Sequence, residues 1–526
     1  MKLHSVILSG AIVFFFSLFL FLFGSGNSPI YILDESKNAQ CAYEMLTSGD
    51  GITPVFNGEL RTDKPPLHYY CMMAAYSIMG KMPFAARFFS GIFGSILMLV
   101  LFLFVNQHST KLHAWWSIFV LWASIHFIVE FHLAVPDPYL ITFTGIGLMS
   151  FYHWMQTRKR WAIWGIYAML GLGVLSKGPV AVALPGLAML IYLLVTHQFS
   201  LGVLRKLFSF SGILIFLIIV IPWYYLVWKT TDGAWIEGFI VDHNINRFSD
   251  TKEGHGGFIL LTAGYYLMGF LPFVFFIFPF VKTVWKSRTD SLMVFGSIIT
   301  LVFVVFFSIS KTQLPNYAMP AYPFTSILFG YFLSREAEKV YSVKFRWNFF
   351  AAFVFSLLLP IGVFIAIEID PNLKGMHRLL FFLLPLVIGS LIAMVLAFRG
   401  KNRIAFLTLG YAFCIGALTL IGGFMPQLSK RNPVYLSQSI VNTADSVAWH
   451  KDVNPAFIFK YGVIPELETT EEVTSFLSKP GNVLLTTKKG LSRLEDQVEY
   501  EILFKTTDLF DNRKTRIIKG HPEINQ

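Results

Sequence analysis

The amino-acid sequence predicts a polytopic α-helical membrane protein with about thirteen transmembrane helices and a small α/β domain at its C-terminal end. Three observations carry this expectation. Of the 526 residues, 55% are hydrophobic and only 14% charged, whereas soluble domains carry about 25% charged residues. Apolar runs of roughly 20 residues, the length that spans a hydrocarbon core, recur from the N-terminus to residue 424. The net charge of +11 is also unevenly spread. Six short segments between the runs (106–113, 156–161, 197–207, 282–290, 335–346 and 399–403) hold sixteen Lys or Arg and three acids, Asp290, Glu336 and Glu338. That excess of thirteen (16 − 3) is larger than the charge of the whole chain, so the basicity is positive-inside bias. Nucleic-acid binding is not needed to explain it.

The runs place spans near 5–23, 86–105, 114–134, 138–155, 161–176, 179–196, 208–228, 259–281, 291–308, 320–334, 348–367, 379–398 and 404–424. The first is read as a span rather than a cleaved leader, because it is longer than a usual leader core and the topology needs it. An odd number of spans with the N-terminus inside puts the C-terminus outside, in agreement with the basic segments. Residues 1–424 therefore form the membrane domain, and residues 24–85 form a polar loop on its outer face. Residues 425–526 hold thirteen basic and thirteen acidic residues and no spanning run. There PAFIF, NVLLTT and YEILF read as strands alternating with a helical TTEEVTSFLS, which predicts an outer α/β domain.

Within the 24–85 loop, Asp34 is placed to cap a helix that Gly49 stops. Asn57-Gly58 marks a tight turn, and Pro65-Pro66 starts a second helix running towards Gly80. Both helices are too short to span and are expected at the interface. Cys41 and Cys71 share this loop, where pairing and two separate thiols are both open; Cys414 lies in a span. No internal repeat or duplicated broken-helix pair of the transporter kind is evident.

Polar residues collect on the outer face at five places: Asp34-Glu35, Asp63-Lys64, Asp137, the stretch from Asp242 to His255, and the stretch from Lys311 to Tyr317. A lone surface carboxylate is usually only solvated, but carboxylates and cations converging from separate loops read as a site. A lipid-linked sugar donor would require a base for an acceptor hydroxyl and cations for the departing phosphate. Asp34 or Glu35 suits the base, and Lys64 and Arg247 suit the phosphate. Tyr69 and Tyr70 are placed to flank lipid or sugar. Asp63, His243, His255, Lys311 and Tyr317 are expected nearby. A metal held by Asp63 with His243 or His255 is weighed against hydrogen-bonded surface histidines, and the second reading is taken; no metal or other cofactor is expected. A transporter or flippase would want charged residues in mid-span, which are nearly missing here. A non-catalytic scaffold would need none of Asp34, Lys64 and Arg247.

The string DESKNAQCAYEMLTSGDGITPVFNGELRTDKPPLHYY, followed by FAARFFSG, resembles the first periplasmic loop of the aminoarabinose transferase (ArnT) and protein O-mannosyltransferase superfamily, a glycosyltransferase family 39-like group. VPDPYLITF, LSKGPVAVALP, DHNINRF with GHGG, and SKTQLPNYAMPAYP match in order, so the resemblance covers residues 1–424 and is nearer the bacterial branch. It implies a GT-C fold in the bacterial inner membrane with a periplasmic active site. It also implies a polyprenyl (undecaprenyl) phosphate sugar donor, inversion at the anomeric carbon, and a lipid, glycan or protein acceptor among the surrounding membrane lipids. By the same resemblance Asp34 takes the essential acidic position with Glu35 completing the pair. Lys64 takes the phosphate-contacting position, Arg247 the arginine of the RF motif, and Asp137 a second outer carboxylate. Two departures stand out: Asp63 where many relatives carry Glu, and Lys37-Asn38 where many carry Arg-Tyr, at a place where sugar or acceptor contacts are expected.

Overall fold

Each of the thirteen apolar runs falls on helix in a computed structural model of the chain, which describes residues 2–240, 261–337, 339, 344–494, 498–509 and 513–521. The first nine helices are α1 (Lys2–Leu22), α2 (Leu33–Ser48), α3 (Leu67–Met79), α4 (Pro83–His108), α5 (Lys111–Ala123), α6 (Ile125–Glu130), α7 (Asp137–Thr157), α8 (Arg160–Lys177) and α9 (Val180–Val195). The later runs fold as Phe210–Thr230, Ser291–Ile309, Tyr322–Glu336, Arg346–Ile369, Leu384–Phe398 and Asn402–Thr419. Between them Leu261–Met268 and Phe273–Lys286 meet at a 105° bend. Among the described residues, seven helices are long and apolar enough to cross a membrane by themselves, and eight if the bent pair is one span. The other expected spans are shorter or more polar. α7 is 21 residues long yet almost wholly buried among other helices, so packing rather than lipid-facing apolarity stabilises it.

Close helix contact rests on small residues at the crossings. A Cβ at Gly330, on the Tyr322–Glu336 helix, would collide with Ser117 of α5, and the missing side chain lets the two backbones meet. The break between α8 and α9 falls at Gly178, with φ +81° and the Phe239 ring against its Cα. Both features need glycine, so the SKGP corner is a real chain reversal.

The polar loop is folded throughout. α2 ends at Gly49 in the left-handed conformation, and α3 follows Pro66 and ends at Gly80, both as expected. β1 (Val55–Phe56) and β2 (Glu59–Leu60) pair antiparallel around Asn57 and Gly58, both with positive φ, as a primed hairpin turn requires. The expected Asp34 cap differs. Helix α2 already begins at Leu33, with Ile32 at the cap and no side-chain cap bond, and Asp34 lies inside the first turn. A carboxylate there still faces the positive end of the helix dipole. Two buried indoles fix the loop to the membrane helices. Trp223 Nε1 donates to Ile52 O at 3.2 Å, and Trp235 Nε1 donates to Arg61 O at 2.9 Å.

The C-terminal domain is a four-stranded sheet in the order β3-β4-β6-β5, formed by β3 (Ser446–Trp449), β4 (Asn482–Thr487), β5 (Tyr500–Thr507) and β6 (Lys514–Gly520). β3 and β4 are parallel and the other pairings antiparallel. NVLLTT and YEILF are strands and TTEEVTSFLS is mostly helix, with a capping box between Thr469 and Glu472. PAFIF, expected as a strand, is instead the start of the helix Pro455–Tyr461. Asn454 caps it by accepting from Ala456 N, and Pro455 takes the first helical position, a start signal that outweighs the β-like side chains.

That helix packs on α2 and joins the domain to the loop. Asn57 donates through Nδ2 to Ile464 O and accepts through Oδ1 from Ile464 N, each at 2.9 Å. The Tyr31 hydroxyl donates to Asp508. Lys81 lies 4.4 Å from the Tyr43 ring centre and 4.7 Å from that of Phe459, and donates to Gln40 at 2.8 Å. Burial pulls the Lys81 ammonium down to about 8, against the opposing charge of Glu44.

Replacing Asn57 by Ala leaves the backbone N–H of Ile464 without its partner, while Ile464 O keeps the bond from Trp449 Nε1, a cost of about 1–3 kcal/mol. Hydrogen exchange at residues 462–467 should accelerate in that variant, with exchange in α4 unchanged. Unaltered exchange at Ile464 would show that the domain docks without this pair.

Candidate active site

The Asp34-Glu35 pair splits into two roles because consecutive helix positions lie about 100° apart. Asp34 is exposed on the outer side of α2. Glu35 is buried and receives both arms of the Arg87 guanidinium at 2.7 Å, together with Ala134 N at 2.9 Å. Arg87 is itself buried and donates further to Ser25 O at 2.6 Å and Ser28 O at 2.8 Å. A carboxylate so fully engaged is an anchor, which differs from the reacting role considered for Glu35 from the sequence.

A second cluster forms around Arg61, which sequence reasoning passed over. Arg61 is buried, donates to Tyr69 Oη at 3.1 Å and Asn38 Oδ1 at 3.0 Å, and pairs with Asp63 at 3.1 Å. Asp34 lies within its electrostatic reach. Three residues on, Lys64 is buried beside His68. Burial first, then the charges of Arg61 and Lys64, hold the His68 imidazole well below its usual pKa, so it is neutral at physiological pH. Both expected aromatic flanks belong to the loop's own packing. Tyr69 is fully buried against Arg61, and half-buried Tyr70 donates to Gly51 O at 2.7 Å. Cys41 and Cys71 are separate thiols, and burial raises both to about 12.

The third cluster joins three elements at the helix ends nearest the polar loop. Asp137, at the start of α7, pairs with Lys177, the last residue of α8, at 2.5 Å. The Lys177 ammonium lies 5.1 Å from the ring centre of Tyr317, in the segment after Ser291–Ile309. Glu130, buried at the end of α6, is electrostatically linked to both Asp137 and Lys177 and meets Asn316. The last two clusters are neighbours, since the Tyr139 ring of α7 stands 6.5 Å from His68. Lys311 is exposed. Arg247, His243 and His255 lie outside the described residues. Among the described residues no group of three or more His, Cys, Asp or Glu is placed to hold a metal ion. Glu130 and Lys177 carry little signal in sequence, because the partners of Lys177 lie 40 residues away and in a separate loop. Arg61 had one, since it places a second cation three residues before Lys64.

The comparisons with known proteins agree with this architecture. The profile of the dolichyl-phosphate-mannose-protein mannosyltransferase family (PMT) matches residues 11–234. An uncharacterized protein of Aquifex aeolicus is 28% identical over 66% of this chain and 77% of its own length. The undecaprenyl phosphate-alpha-4-amino-4-deoxy-L-arabinose arabinosyl transferase of Pseudomonas aeruginosa is 25% identical over 63% of this chain, which spans 61% of that relative. The crystal structure of ArnT from Cupriavidus metallidurans bound to undecaprenyl phosphate superposes with a TM-score of 0.78, at 19% identity, over 98% of each chain; this establishes a shared fold.

The anchor predicts a specific coupling. Glu35→Gln or Arg87→Met alone strands a buried charge and should cost about 3–5 kcal/mol. The double variant should lose less than the sum, as read by thermal unfolding in detergent. Additive losses would contradict the pairing. With thirteen helical runs, a folded polar loop and these matches, the chain is a multi-pass membrane protein that shares the fold of ArnT, and its residues 11–234 match the PMT family.

Proposed function

We propose that the protein transfers a sugar from a polyprenyl phosphate donor, undecaprenyl phosphate in a bacterial inner membrane, to an acceptor presented on the outer side, with inversion at the anomeric carbon. The observation that carries this is the placing of exposed Asp34 beside the cationic corner of Arg61 and Lys64, on a loop fixed to the membrane helices. Likeness to the arabinosyl transferase and to ArnT supports the donor class. The basic segments support a cytoplasmic N-terminus, with loop 24–85 and residues 425–526 on the opposite side.

In this reading the acceptor attacks the anomeric carbon in line and the lipid phosphate leaves from the opposite face. Lys64, with Arg247, neutralises the phosphate as its negative charge grows. Arg61 keeps the corner positive and orients Lys64 by holding Asp63, Asn38 and Tyr69 in place. The Asp137–Lys177 pair under Tyr317 forms the opposite wall of the site. Neutral His68 adds no further charge to the corner. Asp34 accepts the proton of a hydroxyl acceptor. If the acceptor is already anionic no base is needed, and Asp34 stabilises the positive charge that develops at the anomeric carbon instead. Which sugar is moved, and whether it is a hexose or a pentose, depends on contacts near Lys37 and Asn38.

Transfer of radiolabelled sugar from a polyprenyl phosphate donor by the purified protein tests this reading. Asp34→Asn should lower transfer by at least about 100-fold, the usual size of a general acid–base contribution, with unchanged thermal unfolding. Lys64→Met should weaken use of the donor by about tenfold to a hundredfold, as loss of a charge-assisted hydrogen bond implies. Near-normal transfer by the Asp34 variant would overturn the mechanism, and no transfer by the wild-type protein from any such donor would overturn the activity.

A further inference from the structure

The C-terminal domain contains a basic cavity that the transfer site does not use. It is an open surface pocket of about 390 Å³, lined by Lys488, Lys489, Arg513 and Lys514, with Thr487 and Ser492 supplying hydroxyls. Among the described residues Asp452 is the one acid in the lining, and it pairs with Arg513 at 3.5 Å. Four cations thus face one carboxylate that is already engaged.

The position of the cavity in the sheet is as informative as its charge. β3 and β4 run parallel, and Asp452 and Lys488 lie just beyond their carboxyl ends. Lys514 opens β6 at the same end, where Thr515 is paired with Thr487. In open α/β sheets, ligands settle in the crevice outside the carboxyl ends of parallel strands. Cavities of a few hundred Å³ are the usual size for a small organic ligand.

The same end of the sheet is turned towards the membrane domain. Asp508, whose backbone N–H donates to Arg513 O at 2.8 Å, accepts from Tyr31 and from Asn454. Tyr31 precedes Asp34 by three residues. Arg513 at the cavity rim and the loop that carries the transfer site are therefore linked through their hydrogen bonds to Asp508.

We propose that this cavity binds a phosphate monoester on a saccharide. A monoester dianion can engage several of the four cations at once, and the hydroxyls of Thr487 and Ser492, with the cavity volume, suit an attached sugar ring. Assigning the ligand to the acceptor, held by a phosphate remote from the reacting centre, rests on the transferase reading; the binding itself does not.

Lysine acylation footprinting of the full-length protein in nanodiscs tests the site without turnover. Glucosamine 1-phosphate is compared with glucosamine in phosphatidylcholine discs, and discs containing phosphatidic acid are compared with discs lacking it. Lys479, at the amino end of β4, is the internal control. With the sugar phosphate about tenfold above its dissociation constant, acylation of Lys488, Lys489 and Lys514 should slow about tenfold, since only the free fraction reacts. Lys479 and the glucosamine arm should be unaffected. Lys488→Glu with Lys489→Glu should abolish the protection of Lys514 without changing thermal unfolding.

Protection by phosphatidic acid as well would identify a membrane-borne source, and protection by the soluble phosphate alone a soluble one; either supports the site. Equal labelling with and without phosphate in both arms would overturn it. The footprint and the transfer assay fail independently: loss of all transfer with an intact footprint rejects only the assignment to the acceptor.

Discussion

The bidentate pair between Glu35 and Arg87 is the interaction on which the outer face of the molecule depends. Burying two opposite charges is costly unless every lone pair and proton is satisfied. Here Arg87 uses both arms on Glu35 and turns its remaining N–H groups to backbone carbonyls of residues 25–29, while Glu35 also accepts from Ala134. The pair therefore joins the start of α2, the start of α4, the exit from α1 and the segment before α7. Removing either partner loosens all four at once.

This anchor also explains how a carboxylate becomes available next to the membrane. With Glu35 pulled inward, helical geometry turns Asp34 outward, towards the corner that holds Arg61 and Lys64. The cation-rich corner is in turn fixed by Trp235, in the short helix Ala234–Glu237 that follows Phe210–Thr230, and by Tyr69 from α3. From the other side, Asn57, Tyr31 and Lys81 tie the same loop to the C-terminal domain. A polar loop of about sixty residues would ordinarily be mobile; clamped from both sides, it can preorganise charge instead.

Much of this was legible in the sequence for a simple reason: spans must satisfy their backbone internally, so every apolar run became helix. Gly49, Asn57-Gly58, Pro66 and Gly80 also did what their backbone preferences dictate. What the sequence hid were interactions without local pattern. Lys177 pairs with Asp137 across 40 positions, and Glu35 with Arg87 across 52. PAFIF was misread because three large apolar side chains outweighed the Asn454-Pro455 start signal. Asp34 looked like a cap, yet the helix begins at Leu33, two residues earlier than a cap at Asp34 needs. Charge alternation in residues 425–526 gave no hint that strand pairing would gather four cations at one end of a sheet.

The central claim, that the corner around Lys64 and the wall around Lys177 receive the lipid phosphate, is tested most directly by photoaffinity labelling of the purified protein. A polyprenyl phosphate with a diazirine near its phosphate should label peptides from residues 61–70 and from the segments holding Asp137, Lys177 and Tyr317, with competition by unlabelled undecaprenyl phosphate. Competable labelling confined to other helices, with these segments unmodified, would contradict the account.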